Sequence, residues 1–118
     1  MSRFLQISFV LLFMALGDMP VYAREMSSMT AAELPREGRD TLALIRKGGP
    51  FPYAKDASIF SNREHILPKQ ARGYYREYTV KTPGARDRGA RRIICGGKQQ
   101  SPCFYTGDHY ATFKLLQE

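Results

Sequence analysis

The stretch 74-YYREYTVKTPGARDRGARRII-94 holds two runs of aromatic and β-branched residues on either side of a Thr-Pro-Gly turn. Such runs, broken by turn residues, read as two short antiparallel strands joined by a hairpin loop. Side chains alternate along a strand, so Tyr75, Glu77 and Thr79 share one face and Tyr78 and Val80 the other. On the second strand Arg92 faces opposite to Arg91. The hairpin thus puts Arg86, Arg88, Arg91 and Arg92 close in sequence to Glu77. In a suitable register Glu77 and Arg92 are cross-strand neighbours, with Arg88 reaching in from the loop. An exposed Glu–Arg pair is also a common surface feature worth about 0–1 kcal/mol, so charge pattern alone does not assign chemistry here.

Downstream of the hairpin, 103-CFYT-106 and 110-YATFKLL-116 continue the strand pattern, separated by 96-GGKQQSP-102 and the tight turn 106-TGD-108. Upstream, Leu34-Pro35 opens a helical pattern. Proline suits a first turn, Glu37 complements the positive helix end, and Leu42 and Ile45 share a face. Arg46 and Lys47 fall in the last turn, Gly48-Gly49 offers a C-cap, and Pro50 blocks continuation. Thr30 and Glu33 also fit a capping box, which allows an earlier start. Between helix and hairpin, 50-PFPYAKDASIFSNREHILPKQARG-73 reads as ordered loops around a short strand near residues 57–60. One early helix followed by strands predicts an α+β domain, with the helix laid across one face of a twisted antiparallel sheet.

The N-terminal segment is different text. Arg3 precedes the apolar run 4-FLQISFVLLFMAL-16, and 21-VYA-23 carries the small residues that a signal peptidase needs, so residues 1–23 read as a secretory signal peptide. Residues 24–33 are small and polar and are expected to form a flexible leader. Residues 34–118 are then one small domain with a single modest core. The chain has Lys+Arg 18 against Asp+Glu 11, a formal charge of +7. A small cation of this kind suits an anionic partner: nucleic acid, an acidic membrane surface or an acidic protein. An oxidising compartment makes Cys95 and Cys103 candidates for a disulfide; the alternative is a pair of free thiols, one of them buried. With two cysteines and two histidines, zinc is not expected.

His109 follows the 106-TGD-108 turn, and histidine is the side chain whose ordinary titration lies closest to neutral pH. Alone it signifies little. Together, a carboxylate, two or more arginines and a histidine form the minimum set for opening RNA at its own 2′-hydroxyl. The acid accepts the 2′-OH proton, fixed guanidiniums stabilise charge on the phosphoryl oxygens, and the imidazolium protonates the departing 5′-oxygen.

Four segments carry a resemblance: 40-DTLALIRKGGPFPY-53, 58-SIFSNREHILP-68, 73-GYYREYTVKTPGARDRGARRIICG-96 and 105-YTGDHYATFKL-115. In order and spacing they resemble the small microbial guanyl-specific ribonucleases of the barnase and ribonuclease Sa type, most closely the Sa branch. The resemblance covers nearly all of residues 34–116. It implies the microbial ribonuclease fold and cleavage of single-stranded RNA after guanosine through a 2′,3′-cyclic phosphate, with no cofactor. It implies Glu77 as general base, His109 as general acid, and Arg88 and Arg92 on the scissile phosphate, assisted by Tyr110. It places guanine recognition in 60-FSNRE-64. There Glu64 accepts hydrogen bonds from guanine N1–H and the 2-amino group, and backbone N–H groups near Asn62 and Arg63 address O6. Phe60 and the Arg63 side chain flank the base, and Tyr53 joins the substrate-binding set. Adenine lacks the two donors that Glu64 needs, and a missing partner for a buried polar group discriminates strongly.

The chain departs from the Sa pattern in several places. Ser61 and Lys55 stand where glutamines are expected, and the 96-GGKQQSP-102 loop is one residue longer. The long-range disulfide of the Sa branch lacks its cysteines; Cys95 and Cys103 instead flank a seven-residue loop, and a local bridge there contributes about 2–3 kcal/mol if unstrained. Some members are countered by a small acidic inhibitor resembling barstar, and an acidic partner suits a basic groove. A secreted monomer, extracellular or periplasmic, is expected. Two rival readings remain at this point. One is a family member that binds RNA or an inhibitor without turnover; the other is a membrane-active cation, disfavoured because no basic amphipathic helix with a broad apolar face is present.

Overall fold

The computed structural model describes residues 26–118. The expected signal peptide, 1–23, lies outside the described residues. In chain order come β1 (Ser28–Thr30), a 3₁₀ turn (Ala31–Glu33), helix α1 (Arg36–Lys47), β2 (Ser58–Ile59), β3 (Tyr75–Thr79), β4 (Arg92–Gly96), β5 (Cys103–Thr106) and β6 (Lys114–Gln117). The strands form one six-stranded sheet in the order β1-β6-β5-β4-β3-β2. Every pairing is antiparallel except that of β1 with β6, which is parallel. Among the described residues, no helix is long and apolar enough to cross a membrane.

Helix α1 starts where expected, with Pro35 at its N-cap and Glu37 in the first turn. It stops at Gly48, whose φ of +89° is a conformation natural to glycine, and whose N–H reaches the carbonyls of Leu44 and Ile45. Leu42 and Ile45 face the sheet and pack with Leu34, Tyr78, Val80 and Ile93. The Thr41 hydroxyl lies 3.0 Å from the Thr79 carbonyl and ties the helix to β3. A second cluster fills the other face of the sheet, where Tyr75, Ile94, Phe104, Phe113 and Leu115 pack with Leu67. Both faces of β4 are therefore covered. Ile93 and Ile94, pointing opposite ways, are each fully buried, and each burial contributes about 1.5–3 kcal/mol.

Three expectations change. The supposed flexible leader, 24–33, contains β1 and the 3₁₀ turn, and the Thr30–Glu33 capping box closes that turn instead of starting α1. Strand β6 begins at Lys114, not Tyr110, because residues 108–112 form a turn. Lastly, the register sets Arg92 opposite Thr79 and Ile94 opposite Glu77, so Arg92 is a diagonal neighbour of Glu77 and not its direct partner.

Cys95 and Cys103 are directly paired residues of β4 and β5 and form a disulfide with S–S 2.03 Å. Arg46, from the end of α1, lies over it. Its guanidinium is 3.3 Å from the Cys103 sulfur, donates to the Gln100 carbonyl at 2.8 Å, and pairs with Glu118.

Candidate active site

Glu77 is central on β3, on the sheet face away from the helix, with its side chain 13% exposed. Its Oε1 accepts a hydrogen bond from Nη2 of Arg88 at 3.0 Å. Arg88 comes from the β3–β4 loop and is steadied by Thr79, whose Oγ1 accepts from Nε at 3.1 Å and from Nη2 at 2.9 Å. The loop serves the neighbouring groups as well. The Gly89 carbonyl accepts from Nη1 of Arg92 at 3.0 Å, and the Ala90 carbonyl accepts from the backbone N–H of His109 at 3.0 Å. One irregular segment therefore sets the relative positions of three of the four predicted catalytic side chains.

Arg92 is 3% exposed. Its Nη1 also donates to the Arg91 carbonyl at 2.7 Å, while its buried Nε has no partner among the described residues. The Tyr110 ring lies 5.9 Å from the guanidinium carbon, and burial pushes the Tyr110 hydroxyl pKa up, aided by the nearby Glu77 charge.

His109 and Tyr110 occupy left-handed backbone conformations, φ +54° and +73°. Asp108 holds them there. Its carboxylate accepts from the Thr106 hydroxyl at 2.8 Å, the Thr112 N–H at 2.9 Å and the Thr112 hydroxyl at 2.6 Å. These bonds, those from Thr112 first, lower its pKa to about 2. Thr106 Oγ1 in turn accepts from the Tyr110 N–H at 3.1 Å. Sequence reading attached no role to Thr79 or Asp108. The 106-TGD-108 turn motif and the position of Thr79 on the Glu77 face were the available signals.

Opposite these groups runs the loop 60–67. Asn62 is buried and left-handed at φ +54°. Its side chain donates to the Leu67 carbonyl at 2.9 Å and accepts from the Leu67 N–H at 3.2 Å, which closes the loop on itself. The backbone N–H groups of Asn62 and Arg63 donate to no group among the described residues. Phe60 is anchored by its N–H to the Tyr75 carbonyl at 3.0 Å, and its ring lies 5.1 Å from that of Tyr110.

The two sides enclose a groove of about 670 Å³, lined among others by Phe60, Asn62, Arg63, Glu64, Glu77 and His109. Tyr110 also lines it. Tyr53 does not: it borders a separate hollow with Glu37, Asp40 and Lys81 beside α1. That hollow touches the groove's machinery only through Thr79, so the structure does not gather Tyr53 with the other predicted substrate contacts.

A family model described as ribonuclease matches residues 19–117. Guanyl-specific ribonuclease Sa of Kitasatospora aureofaciens is 60% identical over 85 residues, covering 72% of this chain and 88% of that protein. Guanyl-specific ribonuclease St of Saccharopolyspora erythraea is 57% identical over 84 residues, covering 71% and 81%. A crystal structure of ribonuclease Sa2 with guanosine-2′-cyclophosphate superposes with TM-score 0.73 at 47% identity, covering 78% of this chain and 96% of that one. With an open groove lined by Glu77 and His109, Arg88 bonded to Glu77 and Arg92 beside Tyr110, this chain belongs to the ribonuclease family that includes the guanyl-specific enzymes Sa and St.

Proposed function

We infer that this chain is a guanyl-specific endoribonuclease that cleaves single-stranded RNA on the 3′ side of guanosine. The observation that carries the reading is the single groove that presents Glu77 and His109 together with the 60–64 loop, while Arg88 holds Glu77 at 3.0 Å. Glu77 accepts the 2′-OH proton as the 2′-oxygen attacks phosphorus. The bond from phosphorus to O5′ breaks, and His109 protonates the leaving oxygen. Arg88 and Arg92 take the charge that grows on the non-bridging oxygens. The resulting 2′,3′-cyclic phosphate is then opened by water with the roles reversed, giving a 3′-phosphate and restoring the 2′-OH.

Guanine lies between Phe60 and the Arg63 side chain in this reading. Glu64 accepts from N1–H and the 2-amino group, and the unused amides of Asn62 and Arg63 meet O6. The side chain of Asn62, committed to Leu67, shapes the loop and leaves base contact to its backbone. We propose further that the protein acts as a monomer outside the cytoplasm, a reading supported by the signal-like residues 1–23, and that an acidic inhibitor fits its basic groove.

The test is cleavage of GpC, ApC and UpC without divalent metal, with Glu77→Gln as control. Guanosine 2′,3′-cyclic phosphate from GpC alone, absent with Glu77→Gln, is expected. Equal cleavage of all three sinks the Glu64 assignment, and no cleavage by a folded, RNA-binding protein sinks the enzyme.

A further inference from the structure

A second hollow, of about 320 Å³, lies outside the catalytic groove, lined by Gly73, Tyr74, Arg76, Gly97, Lys98 and Gln100. Arg76 alternates with Glu77 along β3 and so faces the opposite side of the sheet, the side of Tyr78. The hollow is firmly built. Tyr74 packs directly on the glycine backbone: a Cβ at Gly96 would lie 2.4 Å from its Cε1. The Gln100 side chain is fully engaged, donating to the Gly97 carbonyl at 2.8 Å and accepting from the Tyr78 hydroxyl, which fixes the turn that carries Lys98. No carboxylate lines the hollow, and neither Arg76 nor Lys98 has an ion pair among the described residues. Arg76 spends only Nη1, in a long 3.3 Å bond to the Ala57 carbonyl. Two uncompensated cations over a rigid backbone wall call for an anion.

The sheet register points to which anion. Ile59 lines the catalytic groove, and its cross-strand partner is Arg76. The two backbones are one strand spacing apart, about 5 Å, and because Arg76 projects from the face opposite to Glu77, the path from groove to hollow runs around the β2 edge. β2 is a two-residue edge strand, so a polynucleotide leaving the groove past Ile59 crosses little before it meets Arg76.

We propose that the Tyr74–Arg76–Lys98 hollow is a second phosphate-binding subsite, which holds the RNA strand beyond the nucleotides in the groove. It rests on the ribonuclease reading and extends it to long substrates. Dinucleotides cannot reach it.

The experiment measures kcat/KM against salt, from about 50 to about 200 mM, for GpC and for a long single strand with one guanosine. The proteins are the unaltered chain, Lys98→Ala, Arg76→Gln, their combination, and Lys47→Ala as a remote charge control. On the long strand, the slope of log kcat/KM against log salt should become shallower by about 0.7 per cation removed and about 1.4 for the pair. GpC cleavage and the Lys47→Ala slope should stay unchanged. An unchanged slope in the combined variant overturns the proposal, as does an equal change from Lys47→Ala. So does a parallel loss on GpC, which would mean that Arg76 acts through Ala57 on the groove. If inorganic phosphate shifts the Gly97 amide resonance but the long-strand slope never changes, the hollow takes free phosphate and the RNA role falls. GpC cleavage by the unaltered protein tests the ribonuclease reading separately.

Discussion

Replacing Thr79 with valine isolates the support beneath Arg88. The side chains are nearly isosteric and Thr79 is 2% exposed, so the packing is preserved. Its backbone partners, the Asp56 carboxylate at 2.8 Å and the Thr41 hydroxyl, are untouched. What disappears is the acceptor for Nε and Nη2 of Arg88, leaving that guanidinium on Glu77 alone. A hydrogen bond to a charged group contributes about 1.5–3 kcal/mol when sheltered. Arg88 is 25% exposed, so water replaces part of it, and about 1–2 kcal/mol of positioning is expected to be lost. At 1.36 kcal/mol per tenfold in rate, kcat/KM on GpC should fall about 5- to 30-fold, and the same lost bonds should lower the urea midpoint. The decisive assay is a double-mutant cycle with Arg88→Ala. If Thr79 works through Arg88, Thr79→Val is nearly silent in the Arg88→Ala background. An equal fall in both backgrounds would refute the reasoning.

Other perturbations follow from the same geometry. Asp108 has its folded pKa lowered to about 2, so the stability it lends is present above the unfolded carboxylate pKa near 4 and is lost as pH falls through about 2. Asp108→Asn should therefore lower the denaturant midpoint at neutral pH, with the difference from the unaltered protein closing in strong acid; a gap that persists at the acid end would contradict this. Gly89→Ala meets two obstacles, a φ of +68° and a Cβ placed 2.4 Å from the Thr82 hydroxyl oxygen. Beyond the roughly 1–2 kcal/mol of backbone strain, it should reduce kcat by displacing the carbonyls that hold Arg92 and His109, and unchanged turnover would argue against that coupling. Replacing both Cys95 and Cys103 with alanine should cost about 2–3 kcal/mol in urea unfolding with native-like GpC kinetics, since the bridge lies on the helix-side core.

Helix α1 and strands β3 to β5 were legible because their signals are local. Pro35, Gly48 and the apolar pair Leu42 and Ile45 delimit a helix without reference to the rest of the chain, and aromatic or β-branched runs mark the strands. β1 was missed because its only half-buried residue is Met29, and what makes Ser28–Thr30 a strand is β6, nearly the whole domain away. The early start assigned to β6 failed for the opposite reason: Tyr110 and Phe113 look β-forming, but the Asp108 side chain captures Thr112 and bends the backbone first. At the site, residue identities came through the motif resemblance, while the contacts did not. The placement of Arg92 opposite Thr79, and the loop carbonyls that hold Arg92 and His109, depend on a register and loop path that spacing alone does not determine.

The parallel pairing of Ser28 with Leu115 also bears on the order in which the protein is made. A ribosome releases the chain from its N-terminus, so of the described strands β1 emerges first and its partner β6 last. Until Lys114–Gln117 is free, β5 keeps an unpaired edge, and Phe113 and Leu115 are missing from the core beneath Tyr75 and Phe104. The groove-side core beneath Tyr75 and Phe104 is therefore completed only once Lys114–Gln117 pairs with β5, and the sheet that carries Glu77 stays open at that edge until then.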